Sequence, residues 1–216
     1  MEERSLTDYI KEIPKAELHL HIEGTFEPEL MFQIADRNKI KIDYNSVDDL
    51  KSAYNFNNLQ EFLDIYYTGA KVLQTEEDFY DLTWAYFKKA KEDNIIHTEI
   101  MFDPQTHTHR GIPFETVLNG ITKAQEDAEK DFGISSLLIM SFLRHLDQNS
   151  AFEIYNYFKN HKEKIHAIGL DSSELGNPPS LFTEVFKKAK EDGLKITAHA
   201  GEEGPPQYVW EALDIL

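Results

Sequence analysis

The sequence contains no cysteine, so neither a disulfide nor a thiolate ligand can contribute to its fold or chemistry. Any transition metal it binds must be held by His, Asp or Glu. There is also no apolar run approaching the ~20 residues that a bilayer-spanning helix needs. The amino-terminal stretch Met1-Glu-Glu-Arg-Ser-Leu-Thr-Asp8 is charged from the outset and lacks the apolar core of a secretory leader. These absences lead us to expect a cytoplasmic protein with no membrane partner. Cations are scarce as well: 22 Lys and Arg face 39 Asp and Glu, a net charge of −17. Such a chain is repelled by phosphate backbones unless it gathers its cations on one face. Its densest basic stretches, Phe87-Lys88-Lys89-Ala90-Lys91 and Phe186-Lys187-Lys188-Ala189-Lys190, read as solvated helix surface. A nucleic-acid partner is therefore not expected, and a small neutral or cationic substrate is easier to accommodate.

The 216 residues are enough for one full-sized domain, and no repeat or low-complexity segment divides them. Short β-rich runs at 17–21, 95–102, 134–142, 165–171 and 194–199 alternate with helical patterns. Pro28 suits the first turn of a helix that continues through Arg37. Thr75-Glu-Glu-Asp78 opens another, running to about Asn94, with Phe79, Leu82, Tyr86 and Ala90 on one face. A third, over 181–192, turns Phe182, Val185, Phe186 and Ala189 inward and stops at Gly193. Strands alternating with crossover helices predict an α/β fold with a parallel sheet. Periodicity leaves open a doubly wound sheet or part of an eight-stranded barrel. The segment at about 43–73 is extra to the alternation, a helical insertion placed to cover the C-terminal ends of the strands.

Chemistry concentrates at two places. In Glu17-Leu-His-Leu-His-Ile-Glu-Gly24, His19 and His21 are two apart, so a strand points both to one face, with Leu18, Leu20 and Ile22 on the other, packed on the crossover helices. Their Cα atoms would lie ~6.8 Å apart, close enough to share an ion; alone, the pair could equally be two polar residues on a half-exposed strand. In Thr197-Ala-His-Ala-Gly-Glu-Glu-Gly204, His199 closes a strand where a third ligand would sit, and a glycine turn brings Glu202 back over it. The pair of elements favours a metal site over a strand-end histidine followed by an acidic helix start. His107-Thr-His109 follows Pro104 and precedes Gly111, and is expected in a loop, lining the mouth or solvated. Arg144-His145 and Asp171-Ser-Ser-Glu174 end strands near the same rim. His97, His161 and His166 are expected to be structural. Tyr54, Phe56, Phe62, Tyr66 and Tyr67 are expected to pack the inserted helices, where some could roof a flat ring.

These two motifs, with Phe102-Asp-Pro-Gln-Thr-His-Thr-His-Arg110, Phe142-Leu-Arg-His145 and Gly169-Leu-Asp-Ser-Ser-Glu174 in the same order, resemble the adenosine and adenine deaminases of the metal-dependent amidohydrolase superfamily. The resemblance spans about 14–216. It implies a (β/α) TIM-type barrel, here truncated to the first five strand–helix units of one domain over 1–216. It implies one zinc ion held by His19, His21 and His199, with Glu202 as the acid that protonates a purine ring and has a raised pKa for that task. The fourth strand reads Ile165-His-Ala-Ile-Gly-Leu-Asp171, without the lysine of two-metal members. Glu23, where adenosine deaminases carry an Asp that reaches ribose, and Ser172 are implied substrate contacts, and the wording is nearer the adenine-specific branch. The expected reaction is therefore conversion of adenine to hypoxanthine and ammonia. Adenosine deamination, another mononuclear amidohydrolase chemistry, or a non-catalytic metal-binding fragment are the alternatives. The family's further catalytic His and two Asp residues have no counterpart before Leu216. The chain alone is accordingly expected to load metal weakly, to lack deaminase competence, and to self-associate through exposed barrel edges.

Overall fold

The computed structural model describes residues 5–216; the first four residues of the charged amino-terminal stretch lie outside them. A short helix α1 (Leu6–Glu12), capped by the Ser5 hydroxyl, precedes the first strand β1 (Lys15–His21). A 3-10 turn over Ile22–Thr25 leads to α2 (Pro28–Asn38), α3 (Val47–Ala53), α4 (Leu59–Ala70) and α5 (Glu76–Glu92). Then come β2 (Ile95–Phe102), α6 (Pro104–Thr108), α7 (Phe114–Phe132), β3 (Ser135–Leu143) and α8 (Gln148–Phe158). The chain continues through β4 (Ala167–Asp171), a 3-10 turn over Pro179–Phe182, α9 (Thr183–Glu191), β5 (Lys195–Ile196) and α10 (Pro206–Asp214). None of these helices is long and apolar enough to cross a membrane.

The strands form one parallel sheet in the order β1-β2-β3-β4-β5, so each strand pairs with its sequence neighbour, as consecutive right-handed crossovers produce. β3 and β4 are buried over most of their length because helices cover one face and the curled interior fills the other. Phe102, Phe142, Ile168 and Leu170 from the strands meet Phe79, Val117, Ile121, Ile154 and Phe186 from the crossover helices in one continuous core. Helix α5 starts where Thr75 and Asp78 close a reciprocal capping box. Asp78 is fully buried and also accepts from Arg37 and from Asn38 Nδ2 at 2.7 Å, pinning the ends of α2 and α5 together.

The edges depart from simple expectation. Leu18 is 56% exposed rather than packed under helices, at the register slip of an edge strand. The fifth strand is regular only at Lys195–Ile196. Its ladder nevertheless continues through Thr197 N–H to Ile168 O (3.0 Å) and His199 N–H to Leu170 O (2.8 Å), so β4 still guides the chain to His199. Helices α3 and α4 lie between β1 and β2, and residues of α4 line the cavity at the C-terminal mouth of the sheet.

Candidate metal centre and pocket

The register of β1 against β2 slips between Glu17 and Leu20, an irregularity that contains His19 and immediately precedes His21. The sheet curls enough for its two edge strands to face each other at their C-terminal ends. There His19 Nε2 is 2.9 Å and His21 Nε2 is 3.2 Å from His199 Nε2. An imidazole nitrogen carries either one hydrogen or one lone pair, so His199 Nε2 cannot complete a hydrogen bond with both neighbours at once. A cation taking a lone pair from each ring removes that conflict. Ligand bonds of ~2.0–2.1 Å in tetrahedral array need nitrogens ~3.3 Å apart, close to what is seen, so the three rings fit a metal ion. Burial, then the adjacent His199 and His21, lowers the pKa of His19 and favours the neutral form that binds metal.

Buried groups orient these rings from behind. Asp171 Oδ2 lies 3.3 Å from His21 Nδ1, turning that ring so Nε2 faces the centre. Burial raises the pKa of Asp171 to about 6 against the lowering pull of Asp103 and His199, and burial followed by repulsion from Asp171 and Glu23 raises that of Asp103. A proton shared between them would serve carboxylate oxygens otherwise left without a donor. Tyr66 donates its hydroxyl to Asp103 Oδ2 at 2.7 Å and passes 3.2 Å from Glu23 Oε2. Glu23 Oε1 accepts from the Asp103 backbone N–H (3.1 Å) and from His107 Nε2 (2.9 Å). Arg110 donates to His107 Nδ1 at 3.0 Å, so the proton sits on Nε2, and burial keeps the His107 ring neutral.

His107 is therefore neither solvated nor in a loop. Pro104 sits in the first turn of α6 rather than breaking the chain, and the helix carries His107 into full burial. Glu23 is likewise fully buried, its carboxylate committed to this network instead of lining the large pocket. Ser172 does line it, in a left-handed conformation (φ +77°), but its hydroxyl is taken by Tyr67 (2.7 Å) and His145 Nδ1 (2.8 Å).

Glu202 reaches the pocket rim after the turn at Gly201, where φ is +83°. Its Oε2 lies 3.6 Å from His199 Nδ1, and that nearby imidazole holds its carboxyl below the usual range. This is opposite to the raised value expected, because the side chain is 40% exposed and has an imidazole beside it. The cavity holds about 380 Å³, in the range of small-molecule sites. Leu59, Phe62, Leu63, Tyr66 and Tyr67 of α4 roof it, and the three imidazoles form its floor.

The family model described as adenosine deaminase matches residues 14–216. The chain belongs to the adenosine deaminase family. Within it, the chain is 63% identical over 210 residues to an adenine deaminase of Acinetobacter baylyi and 62% identical over 211 residues to one of Psychrobacter cryohalolentis. These matches cover 97% and 98% of this chain but 63% and 64% of those relatives. The chain thus spans a little under two thirds of their length. Among solved structures, an adenine deaminase from Arthrobacter aurescens is similar with a TM-score of 0.90 and 51% identity, over 93% of this chain and 62% of that one. An amidohydrolase from Burkholderia ambifaria, described with bound zinc, gives a TM-score of 0.87 and 27% identity over 98% of this chain and 59% of that one. The parallel five-stranded sheet is thus the family's barrel-type fold over the strand–helix units this chain carries.

Three groups important to the geometry carried little signal in the family-like motifs. By sequence Tyr66 is a packing aromatic or part of a roof over a flat ring, Asp103 one letter of a diffuse match, and Arg144 either a substrate contact or a strand end. Arg144 is in fact fully buried, donating to Asn177 O (2.8 Å) and His199 O (2.7 Å). Only tertiary neighbours reveal such roles, since none of these residues is spaced as a ligand.

Proposed function

We propose that this chain carries the metal-binding residues and the proton donor of a zinc-dependent deaminase that converts adenine to hypoxanthine and ammonia. The observation that carries the proposal is the convergence of three imidazole Nε2 atoms under an aromatic roof, with Glu202 at the rim. The adenine deaminases at about 60% identity favour adenine over adenosine as substrate. His19, His21 and His199 hold the ion, and a bound zinc supplies water activation near neutral pH. Asp171 sets the orientation of the His21 ring. Glu202 delivers a proton to the ring nitrogen beside the amino-bearing carbon. A seated purine displaces water from the rim, and that desolvation opposes the pull of His199 and returns the proton to Glu202. Tyr66, Tyr67 and Phe62 cover the flat ring and exclude water. Glu23 and Ser172 act on the substrate at one remove, by fixing Tyr66 and Tyr67 over it. The protein works in the cytoplasm on a free purine, and its β1 edge is available for self-association.

The test measures zinc content and ammonia release from adenine and adenosine. It uses the zinc-loaded chain alone and the chain joined to the carboxy-terminal third of the Acinetobacter relative. We expect one zinc per chain in the joined form and weaker loading in the chain alone, zinc lost in His19→Ala and His199→Ala, and adenine turnover at ordinary enzyme rates only in the joined form. Glu202→Gln should lower turnover by about 10²-fold with zinc retained. Equal kcat/KM for base and nucleoside would remove the adenine preference. Zinc lost together with activity in Glu202→Gln would make that residue a ligand instead.

A further inference from the structure

The segment from His199 to Gly204 supplies both a metal ligand and the proposed acid, yet it is not regular strand and is largely open to solvent. Something other than packing must hold it. The carboxylate of Glu174, fully buried in the loop after β4, accepts three backbone N–H groups from this one turn. They are Gly201 N–H to Oε1 at 2.7 Å, Glu203 N–H to Oε2 at 2.8 Å and Gly204 N–H to Oε2 at 2.7 Å. The Arg144 guanidinium, also fully buried, lies 3.8 Å from Glu174 Oε1 and donates to the carbonyl of His199. Burial works against the charge on Glu174, but the three N–H groups and Arg144 outweigh it and hold its carboxyl below the usual range. A Cβ on Gly204 would lie 2.9 Å from Glu174 Cδ and 2.5 Å from the Tyr208 ring, so the last glycine of the motif leaves room for the carboxylate.

We infer that Glu174, braced by Arg144, is a positioning residue whose carboxylate fixes the 199–204 turn and thereby sets His199 against His19 and His21 and Glu202 at the pocket rim. The inference rests on the proposed roles of His199 and Glu202. A carboxylate offers two acceptor oxygens and no donor, matching three converging N–H groups. A glutamine of the same shape places an NH₂ where an acceptor is needed, leaving at least one of these part-buried N–H groups without its partner. The turn would then relax while the core stays folded.

The test uses the full 216-residue chain and two readouts. Amide exchange by NMR, without metal, reports whether Gly201, Glu203 and Gly204 are held. Cobalt(II) titration, followed by its visible spectrum, reports whether the three histidines converge. Glu174→Gln should speed exchange of those three amides by at least 10-fold and weaken cobalt binding by at least 10-fold. Arg144→Lys should move both readouts in the same direction. Val117→Ala, in the core far from the turn, should lower Tm without changing the cobalt spectrum or affinity, which separates positioning from general loss of stability. Cobalt affinity within 2-fold of the parent in Glu174→Gln, or unaltered exchange of the three amides, would overturn the inference. A parent chain that binds no cobalt, or binds it equally well as His19→Ala, would overturn the metal proposal instead, and the exchange data would still decide whether Glu174 anchors the turn.

Discussion

The middle of the sheet and its two edges solve different problems. Strands β2, β3 and β4 are packed on both sides, and Phe102, Phe142 and Leu170 are almost wholly buried there. At the edges, Leu18 on β1 is exposed, β5 is two residues long, and α10 has no buried residue, with Trp210 60% and Leu213 71% exposed. Yet the three converging histidines belong to the edges and not to the middle. What orders them is reach from the middle outward. Asp171 at the end of β4 turns His21, Arg144 after β3 holds the carbonyl of His199, and Glu174 holds the turn beyond it. Stability and site geometry thus reside in different parts of the molecule, joined by a few buried polar side chains.

The largest expected effect probes the packed middle. Phe142→Ala removes a fully buried ring facing Phe186 and should cost about 3–5 kcal/mol, read as a shifted denaturant midpoint in urea unfolding. A cost below about 1 kcal/mol would mean that the core is not the single packed unit described.

Next comes Asp78, the polar pin between α2 and α5. Asp78→Ala should cost about 2–3 kcal/mol, since Arg37, Asn38 and the N–H groups of Gln74 and Thr75 lose a buried acceptor. Burial raises its pKa, but those N–H groups, Asn38 and Arg37 outweigh it, and the folded value lies below the unfolded one. A depressed carboxylate pKa contributes stability that is present above the unfolded value of about 3.9 and lost as pH falls through the folded value. Tm should therefore fall as pH drops below about 4, and fall less steeply in Asp78→Asn. Equal slopes for the two proteins would show that Asp78 is not ionised in the fold.

A smaller effect belongs to the cap of the same helix. Thr75→Ala removes the hydroxyl that accepts the Asp78 N–H and should cost about 1 kcal/mol, measured by thermal unfolding. The smallest effects should come from the edges. Leu213→Ser and Leu18→Ser remove exposed apolar groups and should change stability by less than about 0.5 kcal/mol. If the apolar edges mediate self-association, these substitutions instead shift the oligomer distribution in light scattering, with the monomer's Tm unchanged.

Residue spacing alone determined the alternation of strands and helices, the two histidine motifs that converge at the strand ends and the inward faces of α5 and α9. Each of these is written within a few residues, through strand parity, helical period and caps, so local pattern is enough. His107 was misread for the same reason: Pro104 and Gly111 look like loop punctuation, and only burial beside Glu23 and Phe79 reveals a helix turned inward. Glu23 and Ser172 were matched as substrate contacts, but their partners, His107 and Asp103 for one, Tyr67 and His145 for the other, arrive from distant elements. Tertiary structure alone decided that the sheet curls until His19 and His199, 180 residues apart, bring their Nε2 atoms within 2.9 Å. It also decided that Glu202 lies near enough to His199 to lose, rather than gain, proton affinity. Sequence patterns record what each short segment prefers, whereas curvature, burial and the pairing of charges depend on which segments become neighbours when the whole sheet closes on its core.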